Sequence, residues 1–233
     1  MKVFGKFGKI CGKLCLALAV AGCLAVGSLE AIAKDEGLGN HGRISHNHYK
    51  PGQTASCSIA KMPTTEAEFD ALQAQIGTEP QGGVMCFLAA MNVYVNNEEE
   101  GLSCLQKASY KIGGSDISTL KQKLRGPDDD SYVQKYLPFA HLKGATPENG
   151  YTPSNPLTIE VSVNNGRPYS ILSAEDAPVI YMNFKTRGTD IGQRSVSVIR
   201  PYDSDYYVVY DRGGLMMQVQ NKKRPKRARD LED

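Results

Sequence analysis

Leu157-Thr158-Ile159-Glu160-Val161-Ser162-Val163 is where the chain changes character. Apolar side chains occupy positions 157, 159, 161 and 163, and polar ones stand between them. That two-residue period belongs to a half-buried strand, whose successive side chains point to opposite faces. Asn164-Asn165-Gly166 supplies the turn chemistry that ends it. Alternation returns over residues 179–185, with Val179, Tyr181, Asn183 and Lys185 on one face. Residues 195–199, 206–210 and 215–219 read as three more strands, separated by Pro201-Tyr202-Asp203-Ser204 and Arg212-Gly213-Gly214.

Upstream of residue 138 the period is helical. Thr65 and Glu68 have capping-box spacing, Phe69, Leu72 and Ile76 follow at turn intervals, and Gly77 suits the stop. Thr78 and Gln81 repeat the capping spacing, with Pro80 in the first turn. Residues 84–95 are then apolar nearly all round, which places that helix at the centre of a core. A third helix opens at Asn96 or Asn97 with Glu98, Glu99 and Glu100 against its positive end. A fourth starts at Ser115 or Asp116 and stops at Gly126-Pro127, and Asp128–130 starts a short fifth turn. Helices first and antiparallel strands after them predict an α+β fold: an N-terminal helical block of four to five helices, then an antiparallel sheet of about five strands.

The ends frame this body. Lys2, Lys6, Lys9 and Lys13 precede an apolar run over residues 14–26, which is too short to span a bilayer comfortably. Ala31-Ile32-Ala33 then offers small side chains to a signal peptidase, so residues 1–33 are expected to be an export signal cleaved before Lys34. Val20-Ala21-Gly22-Cys23 resembles a bacterial lipobox, which makes lipidation of Cys23 and membrane anchoring the alternative. Residues 34–61 are rich in Gly, Asn, His and Ser and are expected to form a flexible tether, leaving residues 62–221 as one domain and 222–233 as a basic tail.

Composition excludes some functions. The chain has 27 basic and 25 acidic residues; with the first 33 residues and the tail set aside, residues 34–221 hold 17 and 21, a net of −4. The body lacks the cationic surplus that nucleic-acid binding needs, and no nucleic-acid partner is expected. Beyond the leader only Cys57, Cys86 and Cys104 remain, too few for a disulfide scaffold, although Cys86 and Cys104 lie on helices expected to be neighbours and a bridge between them stays open.

Met62-Pro63-Thr64-Thr65-Glu66-Ala67-Glu68-Phe69, Gly77-Thr78-Glu79-Pro80-Gln81-Gly82-Gly83, Asn96-Asn97-Glu98-Glu99-Glu100-Gly101-Leu102, Asn165-Gly166-Arg167-Pro168-Tyr169 and the turn over residues 188–194 together resemble an uncharacterised family of exported bacterial proteins, a domain of unknown function, over roughly residues 62–221. The resemblance implies one α+β module that works outside the cytoplasm, and it brings no catalytic residues.

Several clusters carry candidate chemistry. Cys86 follows Gln81 and Gly82-Gly83 at a helix start, with His141 downstream, the chain order of a papain-like cysteine hydrolase. Its neighbours Val84, Met85, Phe87 and Leu88 argue instead for a packed thiol. His41, His46 and His48, near Asp35 and Glu36, have ligand spacing for zinc or copper but sit in the expected tether, so no metal is expected. Glu98–100 and Asp128–130 lack the alternating oxygens of a calcium loop and read as helix N-terminal acids. Tyr202, Tyr206, Tyr207 and Tyr210 crowd the last hairpins and offer a binding surface. The tail from Lys222 offers contact with an envelope protein or an anionic envelope polymer. The sequence reading is therefore an exported cell-envelope binding or structural module, non-enzymatic and without a cofactor, with the cysteine hydrolase as the alternative.

Overall fold

Residues 80–96 form the helix on which everything else packs. In the computed structural model, which describes residues 37–44, 50–127, 132–172, 178–189 and 192–223, this helix α2 (Pro80–Asn96) is buried from Pro80 to Tyr94. It follows α1 (Glu66–Ile76) and precedes α3 (Glu98–Ala108), α4 (Gly114–Arg125) and the single turn α5 (Leu137–Ala140). Each fully buried Phe, Leu or Met contributes about 1.5–3 kcal/mol, so Met85, Phe87, Leu88 and Met91 make α2 a main source of stability.

The caps follow the local chemistry. Thr65 Oγ1 accepts from the Glu68 N–H at 3.3 Å, while the Glu68 carboxylate accepts from the Thr64 N–H at 2.8 Å and from Lys61 at 2.6 Å. Asn97 caps α3 by accepting from the N–H groups of Glu99 and Glu100. The capping role expected of Thr78 and Gln81 is not taken. Glu79 precedes α2 without a side-chain cap bond, and the buried Gln81 amide donates instead to the Gly42 carbonyl at 3.2 Å.

The sheet is antiparallel and seven-stranded. Its strands are β1 (Gly39–His41), β2 (Thr54–Ile59), β3 (Leu157–Val163), β4 (Tyr169–Ser170), β5 (Val179–Lys185), β6 (Gln193–Ile199) and β7 (Val208–Asp211). The order is β1-β2-β3-β5-β6-β7, with β4 pairing β5 beside the end of β3. One face meets the helices through Ala55, Cys57, Ile59, Ile159, Val161, Met182, Phe184, Val196 and Val209. The opposite face carries a small second apolar cluster, Val179, Ile199 and Val208, with Tyr110, Tyr181 and Tyr210 packed against it.

This architecture overturns the expected order of helices first and strands after. β1 and β2 precede α1, six helices and seven strands are present among the described residues, and β2 pairs along its full length with β3, some 100 residues away. Residues 39–41 and 54–59 lie in the expected tether. Only Ala55, Cys57 and Ile59 mark the inward face of β2; its outward residues are hydroxyls, so the segment reads as polar chain when its partner strand is not in view.

The strand expected over residues 215–219 is absent too. Arg212-Gly213-Gly214 opens a one-turn helix, α6 (Gly213–Met216), and an extended strap follows it. Arg194 donates to the Met217 and Gln218 carbonyls, both at 2.7 Å. Gln134 bonds both backbone groups of Val219, and Tyr151 donates to the Gln220 carbonyl at 2.6 Å. Leu215 and Val219 are buried by this clasp, which gives the segment its apolar pattern without a ladder.

Candidate functional site

The sheet face turned away from the helices, uncovered among the described residues, is polar at the β2 end. Thr54, Ser56, Glu160, Ser162, Asn183, Lys185 and Gln193 line a groove of about 530 Å³ that ends at His41 and Gly42. Strand pleating puts them there. The inward alternates Ala55, Val161 and Phe184 belong to the core, so their neighbours must face away. Register aligns them across the strands: Thr54 lies opposite Ser162, Ser162 opposite Asn183, and Asn183 opposite Ser195. A second row runs parallel, with Ser56 opposite Glu160 and Lys185 opposite Gln193.

The groove differs from the rest of this face in how its polar groups are used. Elsewhere they satisfy one another: Ser58 bonds Thr158 at 2.9 Å, Ser170 bonds Tyr181 at 3.0 Å, and Ser197 accepts from the Asp211 N–H at 3.2 Å. In the groove the Asn183 carbonyl oxygen accepts from Asn164 Nδ2 at 3.3 Å and from Ser195 Oγ at 3.2 Å, which fixes the amide and leaves its NH2 without a protein partner among the described residues. The side chains of Thr54, Ser56, Ser162, Lys185 and Gln193 also have no protein partner among the described residues. Glu160 pairs with Lys143 at 2.9 Å. The His41 Nε2 donates to the Gly37 carbonyl at 2.8 Å, so this histidine closes the β1 end as a structural group.

The candidates from the sequence fall elsewhere. Cys86 lies inside α2, fully buried, and burial pushes its thiol well above the ordinary range. His141 is 2% exposed, its Nε2 donates to the Leu215 carbonyl at 3.1 Å, and its ring stands edge-on to Phe184. Its Nδ1 meets no partner among the described residues, and burial, with a smaller effect from the Arg194 charge, lowers its pKa from 6.5 to about 4. Gly82-Gly83 serves close packing: a Cβ on Gly83 would come within 2.7 Å of the Tyr207 carbonyl oxygen. A nucleophilic cysteine needs access and a bonded base, and Cys86 has neither among the described residues.

Cys57 and Cys104 are buried as well, with thiols raised to about 12, and the three cysteines are free, so the bridge between Cys86 and Cys104 is not formed. Of the four tyrosines, Tyr206 and Tyr210 are half-buried. Tyr207 is buried, the Tyr210 ring lies tilted against Tyr110 with centroids 5.6 Å apart, and Tyr202 is 72% exposed. Glu98 and Glu100 act at the start of α3, Glu98 pairing with Lys121 and Arg125. Cys23, His46, His48, Asp128–130 and the tail beyond Lys223 lie outside the described residues. Among the described residues no helix is long and apolar enough to cross a membrane.

The groove residues escaped the sequence reading because they come from four strands spread over about 140 residues. The available signal was the outward alternates of residues 158–162 and 183–185, all polar. Fold and site together define an α+β module with helices on one face of a single antiparallel sheet and a solvated polar groove on the other. The chain belongs to the domain-of-unknown-function family DUF6935, which matches residues 61–223. No curated protein and no solved structure matches it.

Proposed function

We propose that this protein is an exported, non-enzymatic binding module of the cell envelope, and that the polar groove on the uncovered sheet face is its ligand surface. The observation that carries the reading is the set of hydroxyl, amide and ammonium groups gathered in one groove without protein partners. The groove's volume of about 530 Å³ lies within the roughly 300–1,000 Å³ of ligand sites. Export is supported by the basic start, the short apolar run and Ala31-Ile32-Ala33. The hydrolase reading gains no support, because Cys86 and His141 are each sealed in the core with other contacts.

Cosedimentation with isolated cell envelopes tests the binding. The wild-type protein should pellet with them, and a Ser162→Ala, Asn183→Ala variant with unchanged melting behaviour should not. Equal pelleting of the two proteins would place the binding surface elsewhere and overturn the reading.

A further inference from the structure

The groove's chemistry narrows what it holds. Its free groups are the hydroxyls of Thr54, Ser56 and Ser162, the amides of Asn183 and Gln193, and the single ammonium of Lys185. Hydroxyls and amides donate and accept, which suits a ligand that does both. The one carboxylate, Glu160, is already neutralised by Lys143. A polyanion would ask for a cluster of cations, and an apolar ligand for aliphatic or aromatic walls; the outward side chains here provide neither. An extended peptide adds to a sheet through the backbone of an edge strand, whereas this groove lies on the face of β2, β3, β5 and β6, which are interior in the strand order.

Register adds a metric. Thr54, Ser162, Asn183 and Ser195 form a transverse row, one residue per strand. Neighbouring strands are about 4.8 Å apart, close to the rise per residue of a β-linked sugar chain. Each strand crossed would offer a polar group to one successive ring.

We infer that the ligand is a neutral glycan chain lying across the strands, held by Thr54, Ser162 and Asn183 of this row. Asn183 is the anchor, because Asn164 and Ser195 hold its oxygen and point its NH2 at the ligand. The inference rests on the groove being the ligand surface.

Titration calorimetry with cellotetraose and chitotetraose tests it, with dextran sulfate as the anionic comparison. At least one neutral tetrasaccharide should bind. Asn183→Ala should weaken it roughly tenfold or more, the expected cost of one well-placed hydrogen bond lost with its partner left unpaired. Dextran sulfate should bind no better at low salt than at high salt. Binding of dextran sulfate alone, lost on Lys185→Ala, would overturn the neutral class and leave the groove reading intact. If neither neutral probe binds while envelope pelleting still depends on Ser162 and Asn183, the glycan assignment fails alone. Pelleting that ignores both residues removes the groove reading as well.

Discussion

His141 makes stability depend on acid in a way that can be isolated. The ring is buried, and its bond to the Leu215 carbonyl requires the proton on Nε2, leaving Nδ1 bare against apolar surroundings. Burial and the nearby Arg194 charge lower its pKa from 6.5 to about 4. The unfolded chain therefore takes up a proton as pH falls through about 6.5, and the folded chain only near 4. Between those values protons favour the unfolded state. The contribution is complete above about pH 6.5 and is lost as pH falls to about 4. The shift corresponds to about 3 kcal/mol. His141→Gln retains a donor for the Leu215 carbonyl but cannot titrate. Urea unfolding of both proteins from pH 7 to pH 4 should show the wild type losing about 3 kcal/mol more than the variant across that window. Parallel curves would refute the buried neutral ring.

Further outcomes follow from packing. Phe87→Ala, at a fully buried site in α2, should cost about 3–5 kcal/mol in urea unfolding. Gly101→Ala gains about 1 kcal/mol of helix propensity, yet its Cβ would strike the backbone of Tyr94, which cannot yield as a side-chain tip can. A net loss of stability is expected, measured by thermal melting; a rise would show that α2 and α3 are not in close contact. Cys57, Cys86 and Cys104 are each 0% exposed, so iodoacetamide should modify none of them in the folded protein and all three in denaturant, as read by intact mass.

The helical half was legible because its signals are local. The apolar circumference of residues 84–95, the Asn97 cap and the Gly126 stop are each read within a turn or two of chain, and α2, α3 and α4 stand within one or two residues of expectation. β3, β5, β6 and β7 were legible for the same reason. β2 was not. Its stability comes from pairing with residues 157–162, and its own composition says only that alternate positions are small or apolar. The segment 215–219 failed in the opposite direction. It has the apolar spacing of a strand, but Arg194, Gln134 and Tyr151 replace a neighbouring strand as the partners of its backbone. The groove inherits both difficulties, since it exists only once β2 lies beside β3. Cys86 and His141, the reactive residue types that carried the alternative hydrolase reading, are both buried in the core.

In protein beginning at Lys34, the remaining cysteines Cys57, Cys86 and Cys104 are buried, so a thiol introduced on the surface reports alone. Gln193→Cys places one in the groove, and Tyr202→Cys places one at an exposed tyrosine outside its lining. Each variant is labelled with iodoacetamide in the presence and absence of isolated cell envelopes. Binding through the groove predicts slowed labelling at position 193 and an unchanged rate at position 202. Unchanged labelling at 193 while the protein is envelope-bound, or protection at 202 alone, would contradict the account.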